Sequence, residues 1–467
     1  MAMADADDLN QTRLADADAL IWAVERDPRL ASTVSSIVVF DALVEPAALR
    51  IRLDRTTRIV ERMRQRVVGN RLSLTPPRWE IDPHFDLDRH LEVADAAGDR
   101  SLRATLDDSA PTLSAAFDRT HPLWWFRLVQ GIEHEGRICS ALVMKAHHSI
   151  ADGMGMLQIQ AELFDFEPDT PDPTHLPPEP VPAPLGAGAR VANAIDYERK
   201  RARTAIDGFE SALRGLSAAP SQMVEQTIDA LASGVRLSAP AAPLSPVLVE
   251  RCAEAWHDVI TLDVGDVKAV AKQTNTRLNA VFVAGSARGL GLFHERVDAT
   301  CPRLRMGMPI SLRTQDGVTP SGESGNQIVP IRVELPLTAD EPAELIRITA
   351  ALIEAQRSEP ANAFVGPSQQ MLARLPPALG GRVFAHVLRG TDFLTSNLQG
   401  SPFPLYIGKA KVLSQHPFGP TSAAAINITL LSYLDEAHIG ISIDAAATDQ
   451  PELVIDSLKA GFEWILS

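Results

Sequence analysis

The sequence predicts a mixed α/β fold in two domains, and three observations support this. The chain has 467 residues, whereas a single core usually stops growing at about 250–300 residues. Apolar runs of strand length alternate with segments of helical periodicity in both halves. A proline-rich stretch that begins at Glu167 separates the halves. We therefore predict an N-terminal domain over 1–166, a linker with crossover helices over 167–247, and a C-terminal domain over 248–467.

Four segments of the first half give its predicted elements. Residues 35–40 are rich in β-branched side chains, which predicts a strand. Residues 46–66 have helical spacing and good helix formers. Residues 137–146 are mostly apolar and predict a buried strand, and residues 153–164 have helical periodicity. The short segment between the last two should therefore be a turn from a strand into a helix.

The linker and the second half are interpreted in the same way. Helices are predicted in the linker over 191–216 and 221–235, and a second proline-rich run covers 238–247. In the second half, the patterns predict helices over 266–273, 279–293 and 452–466, and strands over 305–310, 328–333, 425–432 and 438–443.

Composition excludes several classes of function. The net charge of -15 argues against a surface that binds nucleic acid, because such surfaces are basic. The three cysteines are far apart and lack Cys-x-x-Cys spacing, so we expect reduced structural thiols and no metal or redox pair. No signal peptide and no run of 18 apolar residues is visible. We expect a cytoplasmic protein, with any contact to the inner membrane or to lipid droplets being peripheral.

The segment His147-His148-Ser149-Ile150-Ala151-Asp152-Gly153 carries the strongest chemical signal. Histidine titrates near neutral pH and suits general-base catalysis. Adjacent histidines at a strand end point in different directions, so one can face a cavity while the other faces the core. An Asp-Gly pair four residues later can close a tight turn. A chance histidine pair is the competing explanation, and a metal site is disfavoured because no further ligand lies at suitable spacing.

This HHxxxDG segment resembles the signature of the chloramphenicol-acetyltransferase-like superfamily of CoA-dependent acyltransferases. Within it, the chain resembles the bacterial wax ester synthase/diacylglycerol acyltransferase family. The matching segments are 14–22, Pro122-Leu123-Trp124, 308–313, Gly325-Asn326, 395–402, 404–408 and 426–433. The resemblance implies two chloramphenicol-acetyltransferase-like domains, each a mixed sheet with flanking helices, and an active-site channel between them.

The chain also departs from the family pattern. The Met-His-Val-Gly segment that many members have near the N-terminus is replaced by residues 31–36. The family's Asn-Asp pair is Asn279-Ala280 here, so an acidic cap or brace is absent at that point. The family's Leu-Asn-Gly-Pro segment is not evident near residues 244–246. These departures bear on the choice of acyl acceptor and leave the histidine pair untouched.

Roles in the motif follow from the resemblance. His148 would be the general base that takes the proton of an alcohol, and no covalent acyl-enzyme would form. His147 would pack or hydrogen-bond within the loop, with direct chemistry as the alternative. Asp152 would hold the loop by pairing with an arginine of the second domain, for which Arg313 is the candidate. Gly153 would supply backbone freedom for the turn.

Further residues are candidates for supporting roles. Asn279, Ser396 and Asn397 could donate to the oxyanion, although such residues are more often helix caps or turn residues. Trp124 is expected to anchor the core, with a contact in the substrate channel as the alternative. Gln399 and Gly400 are expected in a loop that lines the channel.

The predicted activity is acyl transfer from acyl-CoA, a substrate and not a cofactor, to a lipid alcohol. The acceptor would be diacylglycerol or a long-chain fatty alcohol, which gives triacylglycerol or a wax ester. Two alternatives stay open: the same fold acting on another hydroxyl acceptor, and a degenerate member that binds lipid without turnover. No cofactor, metal or nucleic-acid partner is expected.

Overall fold

A computed structural model of the protein describes residues 13–69, 75–151, 153–218, 242–311, 328–359, 385 and 390–467. Two six-stranded sheets, each with helices packed on it, form the core. Both sheets contain parallel and antiparallel neighbours. The mixed α/β class predicted from the sequence is therefore confirmed. The predicted helix over 221–235 lies outside the described residues.

The first half contains both strands and helices. Its strands are β1 (Thr33–Phe40), β2 (Gln65–Val68), β3 (Arg78–Ile81), β4 (Leu91–Asp95), β5 (Trp124–His134) and β6 (Arg137–His147). Its helices are α1 (Asp16–Val24), α2 (Pro46–Ile59), α3 (Leu102–Ser114) and α4 (Gly153–Leu163). The predicted strand-to-helix turn before residue 153 is confirmed.

A long helix and the second half follow. The helices are α5 (Ala187–Ala218), α6 (Val264–Gln273), α7 (Leu278–Arg296), α8 (Pro342–Arg357) and α9 (Pro451–Leu466). The strands are β7 (Ala255–Asp263), β8 (Arg303–Ser311), β9 (Ile328–Pro336), β10 (Phe393–Gln399), β11 (Tyr406–Ile407), β12 (Ala410–Phe418), β13 (Ile426–Tyr433) and β14 (Glu436–Asp444). None of the helices in the described ranges is long and apolar enough to cross a membrane.

The first sheet has the strand order β11-β12-β1-β6-β5-β4. Two of its strands, β11 and β12, come from the second half of the chain. β12 is antiparallel to β1, with Ser35 opposite Phe418 and Ile37 opposite His416. The two halves of the chain therefore share one sheet. The predicted domain boundary at residue 248 did not anticipate this sharing. The predicted domain boundaries themselves stay predictions.

The second sheet has the order β7-β14-β13-β10-β8-β9. Helices α7 and α9 cover one of its faces, where an apolar cluster includes Phe282, Leu290, Ile441 and Phe462. On the opposite face, β12 of the first sheet lies against β13 and β14, and Phe418 of β12 contacts His257 of β7. We call the contact between β12 and the strands β7, β13 and β14 the sheet seam.

Backbones approach closely at the sheet seam and buried rings fill it. A Cβ added to Gly440 on β14 would overlap the Pro417 carbonyl oxygen on β12, so only glycine fits there. The rings of His416 and His438 lie 4.9 Å apart, as do those of His257 and Phe418. Beside them, the Arg103 guanidinium of α3 lies 4.5 Å from the Trp256 ring centre. Aromatic and histidine packing therefore joins the two sheets.

The proline-rich segment follows the surface of the first half. Arg52 on α2 is 3% exposed, bonds Asp165 at 2.9 Å, and also contacts Asp172 and the carbonyl oxygen of Thr170. Arg58 reaches Glu179 at 2.8 Å. Helix α5 is attached in the same way, with Arg201 bonded to Asp16 at 2.9 Å. Proline has no backbone N–H, so this proline-rich stretch cannot form a regular ladder of backbone hydrogen bonds. Ion pairs and charged hydrogen bonds hold it on the surface instead.

Helix α2 ends earlier than its sequence pattern predicts. The predicted helix over 46–66 stops at Ile59, and a 3-10 turn (Glu61–Arg64) and strand β2 follow. Thr56 and Thr57 bond back to the carbonyls of Arg52 and Asp54 within the last turns. Because Ile59 and Val60 are β-branched as well, this end of the helix favours an extended continuation.

Candidate active site

The histidine pair lies where β6 leaves the first sheet. His147 is the last residue of β6 and is paired with Thr33 on β1. The N–H groups of Ile150 and Ala151 both donate to the His147 carbonyl, at 2.9 and 3.2 Å. This turn carries the chain into α4, which begins at Gly153. His148 therefore sits on the turn, just outside the sheet.

Alternation along β6 separates the two side chains. Lys145 and His147 lie on the same face of the strand. Both side chains contact Phe117, and Lys145 also bonds the Thr112 carbonyl near the end of α3. His147 is only 3% exposed, whereas His148 is partly exposed. The backbone N–H of His148 donates to the Ser32 carbonyl at 2.8 Å, which fixes the main chain of the turn to the segment that precedes β1.

Both ring nitrogens of His147 are engaged. The backbone N–H of Ser149 donates to Nδ1 at 3.1 Å, and the Ser149 hydroxyl lies 2.6 Å from the same atom. Nε2 lies 2.7 Å from Oε2 of Glu25. A backbone N–H can only donate, so Nδ1 accepts and the proton belongs on Nε2, which donates to Glu25. Buried and bonded at both nitrogens, His147 has no lone pair to offer a substrate.

Glu25 follows the last residue of α1 and was not singled out from the sequence. Its side chain is 8% exposed and also bonds Arg119 at 2.9 Å. Burial raises the pKa of Glu25, but the contacts with His147, Ser32 and Arg119 outweigh burial and lower it. Because 122 positions separate Glu25 from His147, no local spacing could have revealed the pair.

The remaining motif residues are only partly covered by the structure. Asp152 lies outside the described residues, and so does Arg313, its predicted partner. The ion pair between them therefore stays a prediction. Gly153, the last residue of the motif, is also the first residue of α4. The segment Gly325-Asn326, which carried part of the resemblance, also lies outside the described residues.

The second half contributes Asn279, Ser396 and Asn397, which the structure does not bring to a single point. Nδ2 of Asn397 lies 3.4 Å from Oδ1 of Asn279, so these two amides are neighbours on the α7 side of the sheet. Ser396 points to the opposite face of β10, beside its parallel partner Thr429 on β13. One oxyanion site on one face of β10 can therefore use Ser396 or the asparagine pair, but not both.

Ala280 lies in the first turn of α7, where the family has an aspartate. The residue before the helix, Arg277, makes no side-chain cap. Ala280 is 5% exposed and packs in an apolar cluster with Val281 and Leu345. A carboxylate at this position would be buried among apolar side chains, which is unfavourable without a partner.

Three predicted channel residues have different surroundings. Trp124 is 1% exposed, donates from Nε1 to the Met63 carbonyl at 2.7 Å, and stacks on His90. This is a core environment, and a contact with substrate in a channel stays a prediction. Gln399 is exposed at the end of β10. The Gly400 N–H donates to the Ser432 carbonyl at 2.9 Å, an approach that leaves no room for a Cβ.

Neither a metal centre nor a disulfide was expected from the sequence. Within the described ranges, no group of three histidine, cysteine or acidic side chains could hold a metal ion. Cys139, Cys252 and Cys301 are free thiols, and burial raises the pKa of each.

Two family models together match most of the chain. The wax ester synthase/diacylglycerol acyltransferase catalytic domain model matches residues 14–282, and the WS/DGAT C-terminal domain model matches residues 324–465. A Mycobacterium tuberculosis protein with a provisional name as diacylglycerol O-acyltransferase is 28% identical over 457 residues, which cover 96% of this chain and 91% of that protein. The O-acyltransferase WSD of Acinetobacter baylyi is 24% identical over 380 residues, which cover 78% of this chain and 77% of that protein.

Solved structures show the same fold. The wax ester synthase/diacylglycerol acyltransferase from Marinobacter aquaeolei VT8 aligns with a TM-score of 0.65 at 19% identity, covering 97% of this chain and 98% of that chain. The first condensation domain of the calcium-dependent antibiotic synthetase aligns with a TM-score of 0.60 at 14% identity, covering 98% and 96%. The chain belongs to the wax ester synthase/diacylglycerol acyltransferase family of acyltransferases.

Proposed function

We propose that the protein transfers an acyl group from acyl-CoA to the hydroxyl of a lipid alcohol, with His148 as the general base. The observation that carries this proposal is the difference between the two histidines. His147 is buried with both ring nitrogens bonded, whereas His148 is partly exposed on a turn whose backbone is fixed to Ser32. Of the pair, only His148 can meet a hydroxyl group that arrives from outside the core.

The proposed reaction exchanges the C–S bond of the thioester for a C–O bond and moves one proton from the alcohol to the CoA sulfur. His148 takes the hydroxyl proton while the alcohol oxygen forms a bond to the thioester carbonyl carbon. The C–S bond then breaks, and the imidazolium returns the proton to the CoA sulfur. Ser396 or the Asn279 and Asn397 pair would donate to the oxyanion. Asp152 and Arg313 would hold the loop, while Gly153, Gln399, Gly400 and Trp124 would shape or support the channel.

The two substrates are proposed from the comparisons. A starter condensation domain of rhizomide synthetase, which aligns with a TM-score of 0.57, was solved in complex with C8-CoA. Acyl-CoA is therefore a reasonable donor for this fold. The names of the relatives suggest diacylglycerol or a fatty alcohol as the acceptor. Such acceptors reside in membranes and lipid droplets, so we propose that the protein meets them at those surfaces.

The test uses purified protein with palmitoyl-CoA and a panel of alcohols that includes diacylglycerol, hexadecanol and shorter alcohols. Release of the CoA thiol and formation of ester are followed together. We expect the His148→Ala variant to lose at least about 100-fold in rate, within the usual contribution of a general base.

An exposed histidine away from the motif supplies the matched control. His84 is exposed, and His84→Ala should keep the wild-type rate. Equal thiol release by wild type and His148→Ala would refute the role of His148. Lipid binding without ester formation by the wild type would refute the proposed activity.

A further inference from the structure

Glu25 contacts the two chain segments that flank His148. Its Oε2 accepts from Nε2 of His147, the residue before His148 in the chain, at 2.7 Å. Its Oε1 accepts from the backbone N–H of Ser32 at 2.8 Å, and the carbonyl of the same Ser32 accepts from the His148 N–H at 2.8 Å. The Glu25 carboxylate is therefore linked to His148 in two ways, through the side chain of His147 and through the backbone of Ser32.

The hydrogen bonds around His147 also determine the position of its proton. The Ser149 N–H donates to Nδ1, so Nδ1 must be unprotonated. Nε2 then carries the proton and requires an acceptor, which the Glu25 carboxylate supplies. If the group at Nε2 donated a hydrogen bond and did not accept one, the ring proton would have to move to Nδ1, where it would face the Ser149 N–H. The backbone between Ser149 and His148 would then have to shift.

We propose that Glu25 is a positioning residue that fixes the Nε2–H tautomer of His147 and thereby the turn that carries His148. This inference rests on the proposed function, because it assigns Glu25 a part in the reaction of His148. Glu25 does not touch the substrate and acts only through its neighbours. Carboxylates that do not touch the substrate orient functional histidines in other proteins through a hydrogen bond to the ring, and Glu25 would act in the same way.

Charges around Glu25 are arranged to keep it ionised. Arg119 bonds Oε2 at 2.9 Å, and its guanidinium lies 3.9 Å from the centre of the Trp22 ring. The Trp22 ring meets His147 edge to face. On the other side, Lys145 lies over the Phe117 ring and donates to the carbonyls of Thr112 and Ala115. Of these charged groups, Glu25 bonds His147 directly, Arg119 is linked to it through Glu25 and Trp22, and Lys145 is linked to it through the Phe117 ring.

The first test measures the tautomer of His147 in the wild-type protein and uses a variant only to assign the signal. Nitrogen-15 labelling of histidines in the full-length protein reports the tautomer of each ring, and the His147 signal is assigned by its loss in His147→Gln. We expect a neutral ring protonated at Nε2 in the wild type. A ring protonated at Nδ1 would overturn the proposal, whatever the catalytic results.

The second test is Glu25→Gln, which keeps the size of the side chain. The amide can accept from the Ser32 N–H with its oxygen, but then presents an NH2 group to His147 Nε2. We expect kcat to fall about 10- to 100-fold, the range seen when a partner that orients a ligating histidine is lost. KM for palmitoyl-CoA should stay within about twofold. Loss of the nearby negative charge should shift the acid limb of the pH–rate profile to lower pH.

Glu80→Gln is the matched control. The Glu80 side chain is 5% exposed and bonds Arg190 at 3.1 Å, so its loss also removes a buried carboxylate. It should change neither kcat nor the pH profile. Equal kcat in the two variants would overturn the proposal, and if Glu25→Gln does not fold, the wild-type tautomer decides it. If no alcohol is esterified, the proposed function fails while the tautomer result still stands.

Discussion

Acid should weaken the sheet seam, because histidines are buried there in their neutral form. Burial lowers the pKa of His438 from 6.5 to about 4. Burial, with a smaller contribution from the Arg103 charge, lowers that of His257 to about 4 as well. Burial and the neighbouring His438 and His134 lower the pKa of His416 well below its usual value. Around His438 lie Thr261, Glu436 and His416.

The sign and size follow from proton linkage. Each folded pKa lies below the unfolded value, so the unfolded chain binds more protons between the two. The full stability is present above pH 6.5 and is lost as the pH falls toward 4. For a shift from 6.5 to about 4, one histidine removes about 2 kcal/mol of unfolding free energy between pH 7 and pH 5. Burial raises the pKa of Asp258, Asp392 and Asp444. These carboxyl groups therefore favour the folded state as the pH falls, which opposes the effect of the histidines.

A comparison of variants isolates the histidine from these carboxylates. Urea unfolding is measured at pH 7 and pH 5 for the wild type, His438→Gln and the exposed control His84→Gln. We expect the loss of unfolding free energy at pH 5 to be about 2 kcal/mol smaller in His438→Gln than in the wild type. His84→Gln should behave like the wild type. The same pH dependence in all three proteins would refute the idea that His438 is held neutral by burial.

Two further predictions concern stability. Gly440→Ala places a Cβ against the Pro417 carbonyl oxygen across the sheet seam, so unfolding free energy should fall by about 1–3 kcal/mol, measured by urea unfolding; an unchanged midpoint would contradict the packing. Arg52→Gln removes the charged bonds that hold the proline-rich segment, so limited proteolysis should cut within residues 166–186 faster than in the wild type. Retained resistance there would show that other contacts hold the segment.

Local pattern was sufficient for the elements that bear the motif. The apolar run of β6 and the helical spacing after Gly153 located the turn, and the histidine pair on it could be recognised from seven residues. The helical interpretation of residues 46–66 overran the end of α2 because hydrophobic spacing alone does not weigh the β-branched residues Thr57, Ile59 and Val60.

Long-range pairings were beyond the sequence. Nothing near Ser35 indicates that Phe418 will lie opposite it, since register between distant strands depends on the whole packed core. Glu25 was missed for the same reason, although it follows closely on a segment that resembled the family. The opposite directions of Ser396 and Asn397 are a matter of strand alternation, which could have been foreseen only once β10 was known to be a strand.

The contribution of β12 to the first sheet has a consequence for how the chain folds during synthesis. Until residues 410–418 leave the ribosome, β1 has only β6 beside it, and one edge of the first sheet has unpaired N–H and C=O groups. Contacts of such large sequence separation form slowly, and exposed edges promote association between chains. We therefore expect chaperones to bind the nascent first half through this unpaired edge. A truncated chain that ends in the proline-rich segment should aggregate.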